Sequence, residues 1–281
     1  MEIIILGSGG SNPLPRPLCN CDVCNKARVR GIPYSRTGPS FFIKESAILF
    51  DTPEDIRSQL EREKISSLKH VFYTHWHPDH VWGLRIFEHI SKTRPDEQNK
   101  EPIDVYLPQK VYEDFKTKYP KLFYFESKGF LRVHLIQNNE EIKIDKIRIT
   151  PRLMEGHEKN VYAYEIVDGF NKSVIWLGCD VSGIKLNNLR LSNPDVLLLE
   201  CPVPITKNLC AKLDISDGWQ TTISKEESEG IIQYLNPKRT IFVHIDGYRH
   251  LWKEMDHDAI IEAVKNLEKV DVGYDGMTIE V

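Results

Sequence analysis

Thr74-His75-Trp76-His77-Pro78-Asp79-His80 places three imidazoles and a carboxylate within a few positions, directly after the apolar run Val71-Phe72-Tyr73. Core packing has no use for such a cluster between a buried strand and an amphipathic helix, whereas metal ligation does. His75 and His77 are two apart, so on an extended chain leaving a strand they share one side. Asp79 and His80 follow where a helix is expected over 80–90, with Val81, Leu84, Phe87 and Ile90 at helical spacing, and the turn re-aims them. Two ligand sets can diverge from one short loop, which allows two adjacent metal ions. A His-rich surface turn is the plain alternative.

Composition sets the frame around that loop. The chain has 281 residues, 41% hydrophobic and 28% charged, which suits a soluble globular protein with a sizeable core. No repeat, low-complexity tract or linker interrupts it, so a single domain over 1–281 is expected. The formal net charge of −4, with no long basic run, gives nucleic-acid binding no electrostatic support. The apolar run in Met1–Gly7 lacks a basic flank and a small-residue cleavage site, and no stretch approaches the length of a membrane span. A cytoplasmic protein without a membrane partner is the expectation; the oligomeric state is not fixed, and a homodimer stays open.

Of the 6 cysteines, Cys19, Cys21 and Cys24 cluster while Cys179, Cys201 and Cys210 are scattered, a poor disulfide framework for this length. Cys19-Asn20-Cys21-Asp22-Val23-Cys24 is compact enough for one tetrahedral zinc that still needs a fourth ligand. Unpaired surface thiols are its alternative.

Along the chain, Ile3–Leu6 reads as a buried strand ending in Gly7-Ser8-Gly9-Gly10, followed by a proline-rich stretch that cannot be helical. A hairpin is expected from 40–43 and 47–50, then a helix over 53–63 and a strand over 69–73. Asp51 would suit an orienting acceptor below the metal loop, or a helix N-cap. Ser91–Glu101 reads as a surface loop, 103–107 as a strand and 108–119 as a helix. The aromatic stretch 121–130 suits packing or a substrate mouth. Strands are expected over 132–136, 141–150, 161–167 and 173–177. Strand 195–200 precedes a helix opened by the capping box Ser224/Glu227 and stopped at Asn236-Pro237. Strand 239–244, a helix over 256–269 and a final strand pair around Gly273–Gly276 complete the reading.

Three more candidate ligands sit at strand ends: His157, Asp180 and His244. Taken singly, each histidine reads as an ordinary polar residue at a strand end. Together with the loop they fill a pattern. His-x-His-x-Asp-His resembles the signature of the metallo-β-lactamase superfamily, and His157, Asp180 and His244 follow in that superfamily's order. The cysteine cluster, with Gly7–Gly10 and Tyr34-Ser35-Arg36, is similar to its PhnP-like phosphodiesterase branch.

The resemblance implies an α/β fold, a four-layer αββα sandwich with a hydrolytic site at the rim between two sheets. It implies that His75, His77 and His157 hold one divalent metal, that Asp79, His80 and His244 hold the other, and that Asp180 bridges. Asp79 and Asp180 then count as the catalytic carboxylates. Mixed N/O ligation does not choose among zinc, manganese and iron. The branch also implies a structural zinc on Cys19, Cys21 and Cys24, with His250 favoured over His257 as its fourth ligand.

Two divalent ions outweigh two carboxylates, so the implied site attracts an anion, and hydroxide attack on a small phosphodiester, cyclic ribosyl or nucleotide, is the expected reaction. The branch's leaving-group histidine has no counterpart in Asp217–Thr222, where Thr222 takes its place and Asp214 and Asp217 are the nearby acids. Thioester or other acyl hydrolysis is the competing activity, with the aromatics 123–130 as an acyl groove. A metal-dependent sensor without turnover is the competing class.

Overall fold

Ile3, Ile4, Ile5 and Leu6 are all buried in β1 (Glu2–Gly7), and a strand with no polar face must be covered on both sides. The chain forms two sheets, so that a second sheet covers one face of β1 and helices the other. The first runs β14 (Met277–Glu280), β1, β2 (Ser40–Ile43), β3 (Ile48–Phe50), β4 (His70–Phe72), β5 (Ile103–Pro108) and β6 (Leu131–Ile136). The second runs β13 (Val270–Val272), β12 (Arg239–Val243), β11 (Val196–Glu200), β10 (Ser173–Leu177), β9 (Val161–Val167), β8 (Ile147–Met154) and β7 (Ile142–Ile144). This computed structural model describes residues 1–92, 101–156, 160–202, 223–246 and 256–281.

The core between the sheets is aromatic. Phe41 stacks on Phe50 at 4.3 Å, Phe50 on Phe72 at 5.3 Å and Phe72 on Tyr106 at 4.3 Å, each pair directly opposite in register. Trp176 and Tyr164 of the second sheet close onto this ladder, at 4.7 Å from Phe41 and 5.2 Å from Phe50. Cross-strand aromatic pairs add to area burial, so register and sheet packing are fixed together. Helices Ile56–Arg62, Gln109–Lys118 and Lys121–Ser127 cover the first sheet through Leu60, Phe115 and Phe125. Helices Lys225–Leu235 and His257–Val264 cover the second through Ile231, Leu235 and Ile260. The result is the α/β sandwich of four layers.

Strand polarity decides where chemistry can gather. β3, β4 and β5 are parallel, as are β10, β11 and β12, so their C-terminal ends emerge together. Asp51, Thr74, Asp180, Glu200 and His244 all lie at or just beyond such ends, where α/β sheets hold their ligands.

Several elements differ from the sequence reading. Residues 141–150 are not one strand: Asp145 takes a left-handed φ of 52° and turns β7 into β8. The helix expected over 80–90 is broken by a 3-10 turn, Trp82–Arg85, because Gly83 packs directly on the Thr52-Pro53 backbone. Helix Asp22–Arg30 went unpredicted: only Val23, Cys24 and Ala27 are buried, too few to give a periodic signal. The last two strands are not a pair: β13 joins the second sheet and β14 the first, with Asp275 fixing the crossing. Its carboxylate accepts from Ser8 N and Oγ at 2.9 and 2.8 Å and from Thr37 N and Oγ1 at 2.9 and 2.5 Å.

Candidate metal centre

His75, His77 and Asp180 each bring a ligand atom within 4.8 Å of the others, and so do Asp79, His80 and His244. Asp180 Oδ2 lies 3.0 Å from His75 Nε2 and 2.7 Å from His77 Nδ1. The backbone of Asp180 is left-handed, with φ of 43°, which swings its carboxylate from β10 toward the loop. In the second set, His80 Nε2 and His244 Nε2 are 3.3 Å apart, and each is 3.4 Å from Asp79 Oδ2. A regular tetrahedron with such an edge has its centre about 2.1 Å from each corner, the zinc–nitrogen bond length. The rings of His75 and His80 are 4.2 Å apart, so the two sets adjoin.

The hydrogen-bond network fixes which nitrogens face inward. Asp51 is fully buried and accepts from Thr74 N through Oδ1 at 2.9 Å, and from Thr74 Oγ1 and His80 Nδ1 through Oδ2, both at 2.8 Å. The Thr74 hydroxyl donates its proton to Asp51, so toward His75 Nδ1, 2.9 Å away, it accepts. Both Nδ1 atoms therefore carry protons, and both Nε2 lone pairs are offered to a cation. Burial and the neighbouring His80 push His75 down to about 4, keeping it neutral at pH 7. Its Nε2 is buried without a well-aligned hydrogen bond. Asp51 is no helix cap, since the next helix begins at Ile56.

Buried carboxyl groups gather behind this arrangement. Burial pushes the Glu200 carboxyl up to about 8, although Oε2 accepts from Val181 N at 3.0 Å. Buried Asp246 accepts from Asn12 N at 2.8 Å and Ser11 Oγ at 3.1 Å, and burial raises its carboxyl too. Burial works against a proton on His244, yet facing Asp79, with Asp246 and Glu200 behind, pushes it up to about 10. The carboxyl groups of Asp79, Asp180, Glu200 and Asp246 gather on these imidazoles, and the rise of His244 toward its protonated form marks a place that draws positive charge; the donor set of imidazole and carboxylate fits a divalent metal in place of that proton.

The three thiols of Cys19, Cys21 and Cys24 also converge within 4.8 Å. The Arg16 guanidinium lies 3.0 Å from Cys21 Sγ and 3.5 Å from Cys19 Sγ, and Arg16 N donates to Cys24 Sγ at 3.4 Å. The Cys21 backbone and Arg16 hold the Cys19 thiol down to about 6, a soft donor site for zinc. His257 is turned elsewhere: its Nδ1 accepts from Arg36 at 2.8 Å. His250 lies outside the described residues, as do His157, Asp214, Asp217, Thr222 and Cys210. His70 and His134 flank Asp104 far along the strands from the centre, with His134 Nε2 2.7 Å from Asp104 Oδ1.

Sequence reasoning gave no role to Thr74, Glu200, Asp246 or Arg36. Thr74 stands inside the decisive loop and Asp246 two residues past His244, so proximity to ligands was the signal available for both. Arg36 is buried and donates to Ser8 Oγ at 2.8 Å and to the Gly273 carbonyl at 2.6 Å, binding the glycine loop to the far end of the chain. In sequence it stands out only as part of Tyr34-Ser35-Arg36, with nothing to show its role.

Comparison with known proteins follows the same lines. A ribonuclease Z from Pyrococcus horikoshii is 28% identical over 173 residues, 60% of this chain and 45% of that protein. The chain spans less than half the length of the curated relatives it matches. A diphosphatase of the PhnP family superposes with a TM-score of 0.77 at 24% identity, covering 100% of this chain and 97% of its own. Zinc-bound PqqB from Methylobacterium extorquens gives 0.75 at 18% identity over 100% of both chains. These two likenesses show the fold. The family model described as the beta-lactamase superfamily domain matches residues 46–245, a span that opens just before Asp51 and closes just after His244. By that match and by this fold, the chain belongs to the metallo-β-lactamase superfamily.

Proposed function

We propose that the protein is a metal-dependent phosphodiesterase acting on a small phosphodiester. The observation that carries this reading is the pair of adjoining donor sets, His75/His77/Asp180 and Asp79/His80/His244, built at one rim from the ends of parallel strands. His75, His77, Asp79, His80, Asp180 and His244 would hold two divalent cations, with His157 as a further ligand. Such cations supply Lewis acidity, make water acidic near neutral pH and neutralise the non-bridging oxygens of a phosphodiester. The chain's own part is positional. Asp51 keeps a proton on His80 Nδ1 and Thr74 keeps one on His75 Nδ1, so neither ring can rotate its lone pair away. Asp180 joins the two histidines on one side, and Asp79 lies between His80 and His244 on the other.

The acyl-hydrolase alternative loses its sequence basis. Phe125 is 3% exposed, Phe123 and Phe130 pack on the same core, and Lys121 caps the ring of Tyr124 at 3.9 Å. Phe123, Phe125 and Phe130 are committed to packing a helix on its sheet, and the exposed Tyr124 alone makes no acyl groove. The ribonuclease and the diphosphatase among the relatives are named for phosphate chemistry, which supports the substrate class.

Metal-loaded protein tested on bis-p-nitrophenyl phosphate, a 2′,3′-cyclic nucleotide and an acyl thioester checks the reading. Turnover of phosphodiesters that collapses in Asp180→Ala is expected. Turnover of the thioester alone refutes the substrate class, and full metal content without turnover of any ester leaves a binding module.

A further inference from the structure

Trp82 is 65% exposed, yet its backbone is clamped on both sides. Val81 is fully buried, and Gly83 sits so close to the preceding segment that an added Cβ would stand 2.1 Å from the Pro53 carbonyl oxygen. Gly83 N also donates to Thr52 O at 2.8 Å. With both neighbours pinned against the protein, the indole between them faces outward and its mounting is rigid.

The position of that ring is specific. Asp79 precedes Trp82 by three residues across the turn Pro78–Val81 into Trp82–Arg85, so the two side chains leave on the same side. Tyr119, half-buried at the end of helix Gln109–Lys118, has its hydroxyl against the Trp82 indole N–H and within the field of the Asp79 carboxylate. The metal-facing carboxylate, the phenol and the indole thus share one rim. Nearby, Lys118 Nζ lies 4.1 Å over the ring of Trp76, which meets His77 edge to face at 4.7 Å, so a cation flanks the same loop. The Trp82 ring takes no part in the apolar clusters of the core. Beyond its hydrogen bond to Tyr119, a large aromatic held out at this place adds little apolar burial to the fold. With its N–H occupied by Tyr119, what it offers is a flat π-face.

On the reading that the centre cleaves a phosphodiester, we propose that Trp82 is the platform on which a nucleobase of the substrate stacks while its phosphate lies at the metal ligands. A single flat face suits a planar ring and gives little grip on a flexible acyl chain, which needs a concave groove. Tyr119 is a positioning residue that fixes the plane of the indole.

Calorimetric titration of metal-loaded protein with AMP and with ribose 5-phosphate tests this, because the two probes share a phosphate and differ in the base. Stacking on one aromatic gives about a ten- to hundredfold preference, so wild type should favour AMP by at least about tenfold. Trp82→Ala should bring that ratio near one, Trp82→Phe should keep most of it, and Tyr119→Phe should reduce it by a smaller factor. A wild-type ratio near one, or a ratio unmoved in Trp82→Ala of full metal content, overturns the proposal. Since binding is read and not turnover, the two readings separate. A Trp82-dependent ratio in a protein that cleaves no phosphodiester keeps the platform and removes the phosphodiesterase, while phosphodiester turnover with no base preference does the reverse.

Discussion

Replacing Asp51 by Asn keeps the shape of a fully buried side chain and removes its charge, and the arrangement around it makes the outcome calculable. The carboxylate accepts from Thr74 N, Thr74 Oγ1 and His80 Nδ1 and donates nothing. An amide has one accepting atom. With its oxygen toward His80, its NH2 faces the Thr74 N–H, donor against donor, at a site where the original contact is 2.9 Å. Flipped, the NH2 faces His80 Nδ1, which must give up its proton to Nε2 and so loses the inward lone pair. The first orientation leaves a buried donor unsatisfied at a cost of about 1–3 kcal/mol, roughly 2–10 °C in Tm for a chain of this size. The second removes a metal ligand. Loss of such an orienting partner typically lowers metal affinity about 10–100-fold, or about 1.4–2.8 kcal/mol. Competition of Asp51→Asn with a chromophoric zinc chelator should therefore show the set Asp79, His80 and His244 weakened, with a second loss at His75 wherever the flipped amide deprives the Thr74 hydroxyl of its acceptor. Affinity within twofold of wild type at every site would refute the argument that Asp51 sets the His80 tautomer.

Other outcomes follow from the same contacts. Cys24→Ala should remove about one metal equivalent by elemental analysis and lower the Tm of the metal-loaded protein, since structural zinc contributes to folding directly; unchanged metal content counts against a zinc on the thiols. Gly83→Ala places a Cβ 2.1 Å from Pro53 O and 2.6 Å from Ile56 Cγ2, so the Tm should fall and the metal loop should loosen, read as faster zinc release to the chelator. Burial, with the Arg36 charge beside it, pushes His257 down to about 4 from an ordinary value of 6.5. The unfolded chain takes up that proton first, so stability present above pH 6.5 should drain away as pH falls toward 4. His257→Gln should flatten the Tm–pH curve in that window; an equally steep curve would remove His257 as its cause.

The parts of the molecule that chemistry constrains locally were legible in the sequence. Strand runs such as 161–167 and the capping box at Ser224 stand in the structure as read, with Ser224 Oγ accepting from Glu227 N and Asn236 left-handed at the stop. The metal loop could be read because ligation dictates residue type at close spacing. The framework behind it could not. Asp51 and His80 are 29 residues apart and Asn12 and Asp246 are 234 apart, contacts that no periodicity encodes. The separation of β13 from β14 was hidden for the same reason, because Asp275 reaches Ser8 and Thr37 only after both sheets have formed. Trp82 escaped notice because an exposed aromatic inside an apparently helical run looks like any surface position, and only Gly83 against Pro53 makes its mounting rigid.

The pairing of β1 with β14 also sets a timetable for synthesis. Ile5 meets Met277 and Ile3 meets Ile279, partners that leave the ribosome 272 and 276 residues apart. At about 5–20 residues per second that is on the order of 15–55 s during which β1 carries an unpaired outer edge of apolar residues. The Ser8 loop, awaiting Asp275, and the Gly9 bridge, awaiting Ile245, are equally late. Every described metal ligand has emerged by His244, yet the rim that holds the centre is locked only by what comes after it. A nascent chain stalled near residue 250 would thus present the ligands in a half-closed frame, with a hydrophobic ribbon open to chaperones and to neighbouring chains.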